Sequence, residues 1–197
     1  MRPAAALPCP SPARRRALAG LGAGLVATCG LWSPGARAAL APGAKAPDFT
    51  LEAALGGQPF RFSLAEALKG GPVVVYFYPK AFTSGCTVEA HLFAEATPQF
   101  KALGATVIGV SNDDIATLKR FSTEACRNQF AVAADAGGKV IRQYDAGFTL
   151  APGMADRISY VVSPQGQVLL AYSSLDPDGH VKATMEAVKA WRARNPR

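Results

Sequence analysis

Metal ligands, paired cysteines and excess charge are all scarce in this 197-residue chain. It holds four cysteines and two histidines, His91 and His180. No cysteine–histidine cluster stands at ligand spacing, which excludes a structural zinc or iron site, and nothing in the sequence calls for a cofactor. The C-x-x-C pair of thiol–disulfide exchange proteins is absent too. Internal repeats are lacking, and beyond the N-terminal segment no stretch is long and apolar enough to span a membrane. Acidic residues are missing from the first 38 positions, which carry five arginines. The formal charge of +7 therefore falls to +2 over the remaining 159 residues, too near neutrality to supply a basic patch for nucleic acid.

The acid-free segment reads as an export signal over residues 1–38. Arg14-Arg15-Arg16 is followed by a mildly apolar, glycine-rich stretch from Ala17 to Trp32, then by Ala36-Arg37-Ala38. Charged region, apolar region and small-residue site are the parts of a bacterial signal peptide, and they place cleavage before Ala39. Adjacent arginines and a weakly apolar core point to the twin-arginine route; an ordinary secretory signal and an uncleaved anchor are the alternatives. The expected location is the periplasm, with the membrane met only during export. Residues 39–197 then form one domain, a monomer or homodimer, whose cysteines are Cys86 and Cys126.

Strand and helix patterns alternate along that domain. The β-branched and aromatic run 72–78 reads as a buried strand, and Val88, Leu92, Ala96, Phe100 and Leu103 read as one face of a following helix. A strand at 106–110 leads through Ser111-Asn112-Asp113-Asp114 into a helix ending near Cys126. A short strand at 130–133, a turn at 135–138 and a helical turn or two at 139–144 come next. After a loop at 150–155, strands 157–162 and 168–172 make an antiparallel hairpin. Val181, Met185, Val188 and Trp191 stripe a last helix. Such an order implies an α/β fold, a mixed sheet between helices.

Cys86 sits where the first strand hands over to its helix, after the turn Pro79-Lys80-Ala81-Phe82-Thr83-Ser84-Gly85. In a helix's first turn, free N–H groups and the positive end of the dipole favour thiolate over thiol. Its flanks, Thr83, Ser84, Gly85 and Thr87, are small and polar, which argues for a reactive sulfur over a buried, inert one.

The spacing Pro79-x-x-x-Thr83-x-x-Cys86 resembles the active-site signature of the peroxiredoxins. The wider string from Tyr76 to Ala90, with Glu89 in it, resembles the bacterioferritin-comigratory-protein, or Q-type, subfamily, as do Pro47-Asp48-Phe49-Thr50-Leu51 and the stretch 157–162. The resemblance implies a thioredoxin-like fold, with residues 60–68 in a peroxiredoxin-type N-terminal extension. It also implies a thiol-dependent peroxidase, acting on hydrogen peroxide and organic hydroperoxides through a cysteine sulfenic acid and recharged by thioredoxin or another dithiol.

Residue by residue, the resemblance makes Cys86 the peroxidatic sulfur and Arg157 the cation beside it, where the alternative is a surface salt bridge. Thr83 would accept a hydrogen bond from peroxide, or serve as a plain helix cap, or both. Pro79 would close the pocket and end the strand. Glu89 would hold Arg157, or be an exposed helix residue. The commonest Q-type pattern has a resolving cysteine five residues after the reactive one, where this chain has His91, read as an ordinary helix residue. Ser84 replaces a second proline. Cys126 is left as the candidate resolver by disulfide formation, its alternative being a buried thiol with Cys86 acting alone. Two other classes stand against a peroxidase: an exported thiol–disulfide oxidoreductase and a non-catalytic thioredoxin-like binding module.

Overall fold

The computed structural model describes residues 39–149, 151 and 153–196. The export signal expected at residues 1–38 lies outside the described residues, as do Leu150 and Pro152 of the expected loop. Chain order is β1 (Thr50–Leu55), β2 (Gln58–Ser63), α1 (Leu64–Leu68), β3 (Val73–Phe77), α2 (Ser84–Ala102), β4 (Thr106–Ser111) and α3 (Ile115–Glu124). Next come β5 (Ala131–Ala134), α4 (Lys139–Gln143), β6 (Ile158–Val162), β7 (Val168–Ser173) and α5 (Pro177–Arg194).

Every residue of β3 is buried, because the strand lies mid-sheet with a helical layer on each face. The period-two alternation of a strand sorts its side chains between those layers. Val73, Val75 and Phe77 join one apolar cluster with Leu64, Ile108, Ile141 and Tyr160. Val74 and Tyr76 join the other with Phe93, Leu118, Phe121, Val132 and Val188. Helices α1 and α4 therefore cover one face, and α2, α3 and α5 the other. The sheet order is β2-β1-β5-β4-β3-β6-β7. Strand β3 runs parallel to β4 and antiparallel to β6, which pairs in turn with β7, so Phe77 stands opposite Ile158. That register sets Arg157, one residue before β6, against the turn that leaves β3.

Two sequence expectations need correction. Residues 60–68 are only the second half of the N-terminal extension. The first half is β1, paired with β2 around Gly56-Gly57, both at positive φ. Two glycines between strand-like runs are a hairpin signal that the sequence reading passed over. On α2 the inward face is Cys86, Glu89, Ala90, Phe93, Ala94, Thr97 and Phe100, with Ala96 and Leu103 only partly buried and Val88 49% exposed. The apolar stripe chosen from sequence lay beside the true one because the buried face includes polar Glu89 and Thr97, which a hydrophobic pattern skips.

Candidate active site

The turn between β3 and α2 is pinned to the neighbouring strand. Asp113, just past β4, accepts from the Ala81 backbone N–H at 2.7 Å and from Ser111 Oγ at 2.9 Å. Between these anchors Phe82 takes a left-handed φ of +65°, an uncommon conformation for an aromatic residue. Its ring meets Phe121 of α3 edge-on, and the Arg120 guanidinium lies over it. Thr83 follows as N-cap of α2 in extended conformation. Its hydroxyl does not cap the helix; it donates to the Lys80 carbonyl at 3.0 Å, which leaves its oxygen lone pairs free to accept. Partly buried Pro79 ends β3 and opens the turn.

Cys86 occupies the first turn of α2, as its sequence context implies, but its sulfur is not in a polar setting. The residue is 2% exposed and belongs to the same apolar cluster as Tyr76, Tyr78, Ala81 and Ala90. The polar flanks face outward because α2 lays its first turn against the sheet. Arg157 arrives from 71 residues away and is itself only 7% exposed. Its Nη2–H donates to Cys86 Sγ at 3.6 Å, and its Nη1–H donates to Glu89 Oε2. A planar guanidinium thus faces the sulfur with one nitrogen and a carboxyl with another. The surface salt-bridge alternative for Arg157 and the exposed-helix alternative for Glu89 both fail on burial.

Glu89 is fully buried one turn after Cys86, and burial pushes its carboxyl up to about 8 against the downward pull of Arg157. Its Oε1 has no hydrogen-bond partner and lies 3.8 Å from His180 Nδ1. His180, near the start of α5, spans Ser159 Oγ and the Ser174 carbonyl, each at 2.8 Å. Burial and then Arg157 hold the ring below its ordinary value, offset in part by the Ser174 carbonyl.

Sequence reasoning missed Gly85, Ser159 and His180. A Cβ at Gly85 would stand 3.0 Å from Arg157 Nη2, so the missing side chain makes room for the guanidinium. Ser159 is the polar interruption of an otherwise apolar strand, which was the available signal. His91, where the Q-type pattern carries its resolving cysteine, is half-buried on α2. Cys126 is fully buried just past α3 in the same apolar cluster as Cys86, and burial holds its thiol far above the ordinary value. Both cysteines are free thiols. Among the described residues no group of His, Cys, Asp and Glu could hold a metal ion, and no helix is long and apolar enough to cross a membrane.

A cysteine at a helix start, an arginine from a distant strand end and a Pro/Thr turn on a mixed, helix-flanked sheet define the thioredoxin-like class of thiol proteins. Residues 42–171 match the AhpC/TSA family, and the chain belongs to that family, the peroxiredoxins. It is 36% identical over 149 residues to the chloroplastic peroxiredoxin Q of Arabidopsis thaliana, covering 75% of this chain and 67% of that protein. A wheat (Triticum aestivum) chloroplastic peroxiredoxin Q is 33% identical over 181 residues, 91% of this chain and 75% of the relative. Against the rice proteins of the same name the chain spans 66% of their length. Among solved structures, the peroxidoxin BcpB of Mycobacterium tuberculosis superposes with a TM-score of 0.66 at 31% identity, over 76% of this chain and 96% of that one. The peroxiredoxin Q of Xanthomonas campestris gives 0.61 at 30% identity, over 71% and 90%.

Proposed function

We propose that the chain is a thiol-dependent peroxidase that reduces hydrogen peroxide and organic hydroperoxides through Cys86. The observation that carries this reading is the Arg157 Nη2–H donating to Cys86 Sγ at 3.6 Å, beside a Thr83 hydroxyl whose proton is already spent on Lys80. The thiolate is the nucleophilic form of sulfur. As it attacks one peroxide oxygen, an S–O bond forms and the O–O bond breaks. Negative charge passes to the leaving oxygen, which takes up a proton. Thr83 accepts from the peroxide hydroxyl and orients it, Pro79 shapes the turn, and Arg157 meets the charge as it moves from sulfur to oxygen.

The sulfenic acid is resolved by Cys126, and the resulting disulfide is reduced by thioredoxin or a similar dithiol. A fully buried, protonated thiol is a poor attacker, so this step requires the first turn of α2 and the end of α3 to open. The name peroxiredoxin Q carried by the relatives supports the peroxidase reading. Residues 1–38 direct export to the periplasm, and N-terminal sequencing of the mature protein is expected to begin at Ala39.

Peroxide-dependent consumption of dithiothreitol tests the activity. Wild type turns over with both substrates present, and Cys86→Ser has no rate above the uncatalysed background. A near-normal rate in that variant removes the assignment. Turnover of disulfide substrates without peroxide favours the thiol–disulfide oxidoreductase instead.

A further inference from the structure

The Cys86 sulfur and the Glu89 carboxyl share one guanidinium in a site closed to water. Arg157 Nη2–H reaches the sulfur and Nη1–H reaches Glu89 Oε2, while all three residues are buried. Two anions on one cation would leave a net buried negative charge, which desolvation penalises heavily. The start of α2 favours the charge on the sulfur, but the side chains around Glu89 Oε1 add no positive charge to hold a second anion. Burial favours the neutral ring of His180 on α5, which donates its Nε2–H to the Ser174 carbonyl, since a carbonyl only accepts. Its Nδ1 then bears a lone pair, which takes the Ser159 hydroxyl and has no proton to give to Glu89 Oε1 at 3.8 Å. From β3, Tyr76 adds a hydroxyl with no hydrogen-bond partner, close enough to feel the carboxyl. Oε1 has no hydrogen-bond partner, a state that costs a buried, charged carboxylate more than a neutral carboxyl.

We propose that Glu89 holds a proton while Cys86 is a thiolate and gives it up when Cys86 is oxidised, so that Arg157 always faces a single negative charge. The balance is Glu89–COOH plus Cys86–S⁻ plus ROOH, giving Glu89–COO⁻ plus Cys86–SOH plus ROH. The S–O bond forms and the O–O bond breaks. Sulfur loses two electrons to the peroxide, and the carboxyl proton matches the one the leaving oxygen takes up. The step therefore exchanges no net proton with solvent, and the buried cluster is neutral before and after it. Because the inference rests on Cys86 reacting with peroxide, Glu89 acts through Arg157 as a positioning residue and touches no reacting atom. The raised carboxyl of Glu89, pushed up by burial against the pull of Arg157, agrees with a proton held there in the reduced protein.

The test is infrared difference spectroscopy at neutral pH on Cys126→Ser protein carrying ¹³C-labelled glutamate, before and after one equivalent of peroxide. The expected result is loss of a protonated-carboxyl band that shifts with the label, in proportion to the Cys86 oxidised. The same experiment on Glu89→Gln shows no such band; if that variant does not fold, the isotope shift alone assigns the band to glutamate. An oxidised sulfur with the carboxyl band unchanged, or no protonated glutamate before peroxide, overturns the inference and leaves the peroxidase reading intact. A sulfur that peroxide leaves unoxidised overturns the peroxidase reading itself.

Discussion

Arg157 joins the two halves of the site, since its guanidinium donates to both a sulfur and a carboxyl in a buried layer. Removing one partner of a buried pair normally costs about 3–5 kcal/mol, because the other charge is stranded. Here Glu89 already holds its proton in the reduced protein, so no carboxylate is stranded, which limits that loss. Arg157→Ala is therefore expected to fold with a modest drop in stability but to reduce peroxide roughly 10²–10³-fold more slowly, the size of effect seen when a preorganised donor to developing charge is removed. Stopped-flow oxidation of Cys86 measures the rate, and circular dichroism with urea melts confirms the fold. A rate within about twofold of wild type would detach Arg157 from the chemistry.

Among the elements, α2 and α3 are the two on which the proposed Cys86–Cys126 disulfide depends. Cys86 lies in the first turn of α2 and Cys126 just past the end of α3, and both helices pack on the same face of the sheet. The Phe82 ring ties the active-site turn to α3 through Phe121 and Arg120. That contact joins the two elements in the reduced arrangement, so a Cys86–Cys126 disulfide would require them to loosen together. If Cys126 resolves, wild type gains an intramolecular disulfide on peroxide treatment. Cys126→Ser is then expected to over-oxidise Cys86 to sulfinic acid at about tenfold lower peroxide, since a sulfenic acid that finds no thiol climbs the oxidation ladder. Intact-mass spectra with and without iodoacetamide read both outcomes. An unchanged peroxide tolerance with no disulfide assigns Cys126 to packing.

At the scale of the whole molecule, the buried Glu89 makes stability depend on pH. A carboxyl raised from 4.5 to about 8 binds its proton in the folded chain after the unfolded chain has released it. Its contribution is thus fully present below about pH 4.5 and is lost as pH rises through about 8. Relative to Glu89→Gln, which cannot titrate, the reduced wild type should lose stability from about pH 5 to about pH 8, by on the order of a few kcal/mol. His180, held below its ordinary value, works the other way: its share rises with pH up to the unfolded-state value and is common to both proteins. Urea denaturation across that range gives the difference directly. Parallel curves for the two proteins would place Glu89 as an ordinary ionised partner of Arg157.

Local patterns were enough to read most elements. The run 72–78, the capping cluster ending at Asp114 and the 157–172 hairpin are set by β-propensity, by caps and by turn chemistry acting over a few residues. The turn ahead of Cys86 was legible for the same reason, because its residues are contiguous. The burial of Cys86, the inward face of α2 and the Ser159–His180–Glu89 contacts were not legible, since each depends on which layers enclose a residue and on chain segments far apart in sequence. Glu89 shows the limit most clearly. Its type and its place on a helix follow from sequence, but its proton depends on the dielectric around it and on a guanidinium 68 residues away, which only the folded sheet brings within reach.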